Sequence, residues 1–252
     1  MKYIHNFSKY FHKLLIKFLS ICTYVWEQHE LGNIYSFSKG KGLSLDSFFE
    51  SNKEPSIAYG HLYTQYGEVI NKVNLSSNDE SGVLSKKGDI LFPGSSTVPF
   101  GTAQSNALML DNIKIGGDVI IARAIYKMPY APFISYQINA QKEKLFPITV
   151  GTTITHMYGK DIANISYGFP KIEEQSKIGL LFQNIDSLIT LHQRKCEKFQ
   201  QLKNNLLLKM FVSNNESNFT SFPNAWEQQR LSNICEVLTG GEAPNDYIKD
   251  TH

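Results

Sequence analysis

The sequence contains little cysteine and no long apolar run, and each absence excludes a class of protein. Only three of the 252 residues are cysteine, at positions 22, 196 and 235, without a CxxC pair or a Cys/His cluster. This spacing argues against a disulfide framework or a structural zinc site and is typical of a reducing compartment. No run of about 18 apolar residues occurs, so we expect no membrane span. We therefore expect a cytoplasmic protein.

The motifs of common nucleotide and nucleic-acid enzymes are also absent. The sequence has no GxxxxGK phosphate loop, no HExxH motif and no carboxylate followed two residues later by lysine, an arrangement of many metal-dependent nucleases. It also lacks the Asp/Asn-Pro-Pro-Tyr/Phe segment of amino-methyltransferases. His61, His156 and Cys196 are residue types that could form a nucleophilic set, but structural roles are the better interpretation of all three. We therefore predict neither catalysis nor a bound metal.

Charge is small overall but unevenly distributed, with a net value of +2. Residues 1–24 carry four lysines and no acid, whereas residues 25–170 carry twelve bases and thirteen acids. Residues 171–212 carry seven bases and four acids, and residues 213–252 carry two bases and six acids. The central segment is near neutral, so charge alone does not indicate a nucleic-acid partner.

A nine-residue motif occurs twice, and its spacing predicts the domain organisation. WEQHELGNI begins at Trp26 and WEQQRLSNI begins at Trp226, with six of nine residues identical. A repeat of this length is a domain rather than a solenoid unit. We expect one full unit followed by the start of another. The predicted segments are an amphipathic helix at 1–25, a domain at 26–170, a long helix at 171–212, a polar linker at 213–225 and the start of a second, truncated domain at 226–252.

The segment 171–212 predicts one long helix of coiled-coil type. Pro170 precedes it, and Glu173 and Glu174 in the first turn suit the helix dipole. Its apolar residues follow a 4,3 spacing over about five heptads, which requires a partner helix. The alternative is a helix that lies on the core of its own domain. The predicted helix-pairing residues are Ile178, Phe182, Ile185, Ile189, Phe199, Leu202, Leu206 and Met210.

The segment 26–170 predicts an α+β fold. Short apolar runs at 89–92, 119–122 and 133–136 are bounded by Gly, Pro, Asn or Asp and are typical of strands. Glycine-containing turns at 86–89 and 116–118 come directly before the first two runs. The fold class is therefore one mixed α/β domain, then a long helix, then the start of another domain.

Polar and aromatic side chains of the same segment are candidate contacts to nucleic acid. Lysine can bind phosphates, while Tyr, Gln, His, Ser and Thr offer stacking or base-edge hydrogen bonds. The alternative is a half-buried core ring for each tyrosine and a strand-edge ion pair for Arg123. The candidate DNA-binding residues are Lys39, Lys41, Tyr59, His61, Tyr63, Gln65, Tyr66, Ser95, Ser96, Thr97, Gln104, Arg123, His156 and Tyr158.

In combination, these motifs resemble the DNA-specificity subunit of type I restriction–modification systems. The resemblance is carried by WEQHELGNI and WEQQRLSNI, by YGHLYTQYGEVI, KKGDILFPGSS and PFISYQIN, by the GGD turn with Arg123, and by FPKIEEQSKIG leading into the long helix. It covers nearly all of the chain from Trp26 onward. The combination is specific, although no single motif is.

The resemblance implies a non-catalytic protein that binds double-stranded DNA. In that family, two target-recognition domains each read one half of a bipartite site, and two long helices form an antiparallel coiled coil that docks methyltransferase subunits. A motor-nuclease subunit joins for restriction. S-adenosylmethionine, Mg and ATP are then expected only on partner subunits, and none on this chain.

This chain departs from the family pattern because it carries one such domain, one long helix and the start of a second domain. We expect a truncated subunit, of which two copies pair through their helices to restore both halves. A coiled-coil scaffold that does not read DNA is the first alternative. A catalytic nuclease or methyltransferase is less favoured, because its motifs are missing.

Overall fold

The structure, a computed structural model, describes residues 26–211 except 52, 99, 127 and 128. The expected helix at 1–25, the linker at 213–225 and the start of a second domain at 226–252 lie outside the described residues. The chain divides into two compact units, Met1–Gln193 and Arg194–His252. The long helix belongs to both units, so its two parts are described separately.

The first unit holds a domain of short strands with a few helices, which confirms the expected α+β class. The described strands are β1 (Glu27–Glu30), β2 (Tyr35–Lys39), β3 (Phe48–Glu50), β4 (Ser56–Ile57), β5 (Val69–Ile70), β6 (Leu75–Ser77), β7 (Val83–Leu84), β8 (Asp89–Pro93), β9 (Ser95–Ser96), β10 (Asn106–Leu108), β11 (Lys114–Ile115), β12 (Val119–Ala124), β13 (Thr155–His156) and β14 (Ser166–Phe169). The α-helices are α1 (Tyr59–Thr64), α2 (Ala131–Ala140), α3 (Gly159–Ala163) and α4 (Ile172–Phe211). Short 3-10 helices occur at Leu31–Asn33, Leu45–Ser47, Lys142–Lys144 and Phe146–Ile148.

A five-stranded sheet in the order β2-β12-β8-β10-β5 separates two apolar cores. Ile90 and Phe92 of β8 pack into one core, and Leu91 between them packs into the other. Since successive side chains of a strand point to opposite faces, a sheet covered on both sides needs a continuous apolar run. This explains why the runs at 89–92 and 119–122 lack alternation, and both are confirmed as strands.

The run at 133–136 is not a strand, and that prediction was wrong. It lies within α2, with Pro132 in the first turn, where proline is well tolerated. Phe133, Ile134 and Ile138 are buried on one side of the helix, a helical spacing that a four-residue window does not reveal. Helix α2 thereby covers one face of the sheet.

The first and last strands of the domain pair with each other, so the chain enters and leaves at one place. Strands β1 and β14 are antiparallel, with Glu27 opposite Phe169 and Glu30 opposite Ser166. The WEQ motif therefore lies beside the segment that leads into α4. Adjacent ends are what a domain needs if it is to be inserted between two helices without disturbing them.

The first turns of α4 are anchored on the domain. Gln175 is buried and its amide donates to the Pro170 carbonyl oxygen at 2.9 Å, while its oxygen accepts from the Tyr130 N–H at 3.0 Å. A Cβ on Gly179 would lie 2.6 Å from the Tyr130 ring, so only glycine fits. Ile178 is 6% exposed and belongs to the core of the domain. We therefore correct its assignment and leave Ile178 out of the pairing face.

The later part of α4 is exposed along its whole described length. Every described residue from 187 to 210 is exposed, including Leu188, Ile189, Phe199, Leu202 and Leu206. The alternative that the helix lies entirely on the core of its own domain does not describe residues 187–193, which belong to the same unit as that domain and are exposed. The 40-residue helix therefore has apolar side chains that none of the described residues cover in its later turns.

Candidate nucleic-acid interface

Four polar residues lie together at the termini of four strands, and we call them the Lys39 cluster. They are Lys39 at the end of β2, Ser95 at the start of β9, Asp118 directly before β12 and His156 at the end of β13. The Lys39 ammonium donates to Asp118 Oδ1 at 2.9 Å, and the Ser95 hydroxyl donates to Asp118 Oδ2 at 3.4 Å. His156 lies opposite Ser95 in the pairing of β13 with β9. The hydrogen bond from Lys39 is the main reason that the pKa of Asp118 lies below its usual range. The cluster is thus a partly exposed, charged site built by four strands.

Two further lysines and a tyrosine lie close to this cluster along the chain. Lys41 is exposed and follows β2, where its N–H donates to the Ile115 carbonyl oxygen at 3.3 Å. Tyr158 is 48% exposed, and the Lys160 ammonium lies 5.9 Å from the centre of its ring. Sequence reasoning missed Lys160, although a lysine two residues after a candidate tyrosine was a visible signal. Lysine and an exposed ring suit phosphate and base contacts.

Two turns project from the same end of the β9–β13 ribbon. Because Ser96 pairs with Thr155 in antiparallel register, the described residues of 97–101 (all but 99) and residues 150–154 leave the ribbon side by side. We call them the paired turns. Their exposed apolar side chains are Val98, Phe100, Val150 and Ile154.

Phe100 is the most unusual residue of the paired turns. Its backbone has a φ of 57°, which is rare for a bulky side chain, and its ring is 59% exposed. The ring packs against Phe146 with centroids 4.5 Å apart. Strain of this kind persists only where neighbouring structure enforces it, and it often occurs at binding sites. Sequence reasoning named Thr97, which is exposed, but not the apolar residues around it.

A second group of candidates lies on and directly after α1, together with Gln104, which contacts that helix, and His61 and Gln104 serve the fold. His61 Nδ1 accepts from the Ala58 N–H at 3.1 Å, and its ring meets Phe48 edge-on at 5.0 Å. Burial lowers the pKa of His61. The Gln104 amide donates to the Leu62 carbonyl oxygen at 2.6 Å. These side chains already have partners within the domain.

The remaining members of this group differ in exposure. Tyr59 and Tyr66 pack against the second core, and burial raises the pKa of Tyr66. Tyr63 is half-buried, whereas Gln65 is exposed. Among the described residues, they share no hydrogen bond or ion pair with the Lys39 cluster, so we treat them as a separate group.

Arg123 makes a fork-shaped ion pair inside the domain. Its Nε donates to Asp89 Oδ1 at 2.8 Å and its Nη2 donates to Asp89 Oδ2 at 2.6 Å. Asp89 is 1% exposed and also accepts from the Lys86 N–H at 2.8 Å. The geometry is that of the ion-pair alternative, so we leave Arg123 out of the candidate interface.

Ser95 and Ser96 are buried residues that shape the ribbon. The Ser96 hydroxyl both accepts from the Val98 N–H at 3.0 Å and donates to the Val98 carbonyl oxygen at 3.1 Å. It therefore fixes the first paired turn rather than facing solvent. The candidate interface consists of the exposed members, namely Lys39, Lys41, Thr97, His156, Tyr158 and Lys160, with the apolar tips of the paired turns.

Two negative findings apply to residues 26–211 as described. Within them, no three His, Cys, Asp or Glu side chains are grouped so that they could hold a metal ion. No described helix is long and apolar enough to cross a membrane.

The chain is similar to a specificity subunit of a type I restriction enzyme, and it shares the fold of such subunits, which confirms the resemblance seen in its motifs. It is 23% identical over 204 residues to the type I restriction enzyme MjaIX specificity subunit of Methanocaldococcus jannaschii, covering 75% of this chain and 45% of that protein. That relative is named as a specificity subunit rather than as a nuclease or methyltransferase, in agreement with the expected non-catalytic role. No family model matches the sequence.

Two solved structures share the fold. The type I restriction–modification S subunit from M. genitalium has a TM-score of 0.55 at 15% identity, over 77% of this chain and 48% of that one. A structure from work on complex assembly and conformational transition of the type I R-M system has a TM-score of 0.51 at 16% identity, over 81% and 52%. This chain thus spans about half the length of the proteins it matches.

Proposed function

We propose that residues 26–170 form a target-recognition domain that binds double-stranded DNA and reads one half of a bipartite site. The observation that carries this proposal is the similarity to a specificity subunit over 75% of the chain, joined to a shared fold over 77%. The adjacent ends of the domain support it, because they allow insertion between spacer helices. Its activity is binding, not catalysis.

The candidate interface gives this domain the two kinds of contact that sequence reading requires. Lys41 and Lys160 contact phosphates and fix the orientation of the duplex. Thr97, His156 and Tyr158 reach base edges, and the apolar tips of the paired turns contact thymine methyl groups or widen a groove. Because the domain is near neutral, affinity depends on these few side chains rather than on a broad basic surface.

The exposed part of α4 pairs with another long helix and docks the methyltransferase subunits. Leucines and aromatic residues at heptad spacing are the side chains that such packing buries. In an isologous pair of two copies, each chain supplies one recognition domain and one helix. The methyltransferase and motor-nuclease partners bind S-adenosylmethionine, Mg and ATP, while this chain binds none of them.

Co-purification with a type I methyltransferase subunit from the same organism, followed by mapping of methylated adenines, tests the proposal. We expect adenine methylation within one defined sequence motif, and the motif should change when Thr97 and His156 are both replaced by alanine. Methylation without any motif, or a motif unchanged in the double variant, would count against reading by this surface.

A coiled-coil scaffold that does not read DNA is the second candidate, and the exposed apolar surface of α4 favours it. The two functions separate in one binding assay. A scaffold pairs through α4 but loses all DNA at moderate salt, whereas a specificity protein keeps its cognate duplex there. Methyl transfer by the chain alone would instead favour an enzyme.

A further inference from the structure

A cavity of about 400 Å³ lies between α2 and the first turns of α4, away from the candidate DNA interface in sequence and in its lining. Its walls are two aromatic pairs. Trp26 and Phe133 meet edge-on with ring centroids 5.6 Å apart, and Tyr136 and Phe182 lie 5.2 Å apart at a tilt of 37°. Four aromatic side chains therefore line one space, and aromatic rings attract organic cations.

The polar side of the cavity includes the side-chain amide of Gln137. The Gln137 amide nitrogen donates to the Gly168 carbonyl oxygen at 2.7 Å, which fixes how the amide is turned. Gln137 is 7% exposed, and its Oε1 has no hydrogen-bond partner among the described residues. This oxygen is itself buried, so it adds a partial negative charge beside the cavity rather than an accessible acceptor.

The charge of the cavity has one sign. Glu68 lines it and forms no salt bridge with any described residue. Asp186 lies at the edge, where it accepts a hydrogen bond from the Tyr136 hydroxyl. The lining residues include no lysine or arginine. Anionic groups, including DNA phosphates, are therefore disfavoured here, and a cation is favoured.

We propose that this cavity binds an arginine or lysine side chain of a protein partner that packs along α4. The cationic head meets Glu68 and the aromatic side chains, while the methylene stem lies on the apolar walls. A volume of about 400 Å³ is that of a ligand pocket and holds one such side chain with its adjoining peptide.

We expect the cation to come from a protein partner because of the position of Phe182. Phe182 lines the cavity and is also the first exposed residue of the 4,3 pattern that continues through Ile185 and Ile189 on the same helix. A partner segment on this face of α4 therefore passes the mouth of the cavity. This inference rests on the proposed role of α4 as a partner-binding helix, but not on DNA binding.

Trp26 provides a direct readout, since the chain has two tryptophans and Trp226→Phe leaves Trp26 alone. In that background we would titrate the full chain with N-acetyl-arginine amide and follow Trp26 emission. The neutral isostere N-acetyl-citrulline amide is the matched ligand. We expect a saturable change with the arginine probe in the millimolar range and at least about fivefold weaker binding of the citrulline probe. Equal binding of both probes, or no saturable change, would overturn the proposal.

Two variants locate the site, and a third is the control. Glu68→Gln removes the charge with little change of shape and should weaken the arginine probe about tenfold. Phe182→Ala removes one wall of the cavity and should also weaken binding of the arginine probe. Because Phe182 is 38% exposed, this variant should fold, so the test stays decisive even if Glu68→Gln fails to fold. Glu143→Gln, at an exposed carboxylate outside the cavity, should bind like the parent. Equal affinity in all three variants would refute the site.

The source of the cation is tested in the same assay. Residues 1–24 carry four lysines on the same chain. Replacing all four with glutamine should leave the affinity for the arginine probe unchanged if a partner supplies the cation. A clear increase would mean that these lysines compete for the cavity, and it would overturn the assignment to a partner. Because no DNA is present, these results are independent of whether the domain reads DNA.

Discussion

The two parts of α4 share one apolar spacing but not one environment. Ile178, in the first turns, is 6% exposed and packs into the domain, whereas Leu202, in the later turns, is 54% exposed. Gln175 and Gly179 fix the first turns against Tyr130, and comparable contacts are not described beyond residue 186. A 4,3 pattern thus predicts that a helix face will be covered, but it does not say by what.

The difference assigns two tasks to one helix. The anchored turns hold α4 to the domain at residues 26–170, and the exposed turns form the surface that we propose binds another chain. Burying apolar area of this kind is the main favourable term in association. The contrast between the anchored and the exposed turns predicts that the same type of substitution has different effects on stability in the two parts of α4.

The largest expected effect is the loss of folding when a charge enters the anchored turns. Ile178→Asp should destabilise the domain by about 4 kcal/mol or more, since the carboxylate would be buried without a partner. Leu202→Asp should change the domain by less than about 0.5 kcal/mol, because its side chain is exposed. Urea unfolding followed by Trp26 fluorescence compares the two. Similar losses in both variants would mean that the two environments are not distinct.

A smaller effect separates the two ion pairs of the domain. Arg123→Ala leaves the buried carboxylate of Asp89 without its partner and should cost about 3 kcal/mol. Lys39→Ala breaks the exposed pair with Asp118 and should cost less than about 1 kcal/mol. Thermal or urea unfolding measures both. If Lys39→Ala proved the more damaging, the structural role given to Arg123 would be wrong.

Pairing through the exposed turns should be lost without loss of the fold. Leu202→Asp combined with Leu206→Asp places two charges in the proposed interface, and each should cost about 3 kcal/mol of association. Light scattering at micromolar concentration should then report half the mass of the parent chain. A parent chain that is strictly monomeric at that concentration would contradict self-pairing, although not docking to other subunits.

DNA binding should show a modest and sequence-independent effect at Lys41. This lysine is exposed, so Lys41→Ala should weaken all duplexes to a similar degree and reduce the salt slope by about 1. Lys39→Ala should change the slope less, because Asp118 already neutralises that ammonium group. Binding titrations at several salt concentrations measure both slopes. Identical slopes in the parent and the Lys41 variant would remove Lys41 from the interface.

The smallest effect concerns acid sensitivity at α1. Burial holds the pKa of His61 below its usual value near 6.5, so the unfolded chain binds the proton more readily. Its contribution to stability is therefore present above pH 6.5 and is lost as the pH falls through the folded pKa. His61→Asn should flatten the stability profile below pH 6.5. A profile that is unchanged in this variant would show that His61 does not carry the effect.

The sequence predicted the elements whose pattern is set by local chemistry. Apolar runs closed by glycine turns predicted β8 and β12, and the 4,3 spacing predicted α4, which begins within one residue of the expected start and is described as far as Phe211. It failed at α2, because a short apolar run is compatible with a strand or a buried helix. The ambiguity is resolved only by what the run packs against.

The candidate site was less predictable for a related reason. Arg123, His61 and Gln104 look like free polar side chains in sequence, but their partners Asp89, Ala58 and Leu62 are brought to them by the fold. The apolar residues of the paired turns were missed because exposure, rather than residue type, marks them. The pairing of Ser96 with Thr155 joins segments that are far apart in sequence, and no local sequence pattern predicts this pairing.

Selection from a randomised duplex library tests the central claim most directly. The purified chain, at moderate salt, should enrich a short fixed sequence motif, and the Thr97→Ala, His156→Ala double variant should lose or change that motif while remaining folded. Enrichment of no motif by the intact, folded chain, alone and together with the proposed methyltransferase partner, would contradict the claim that this domain reads DNA.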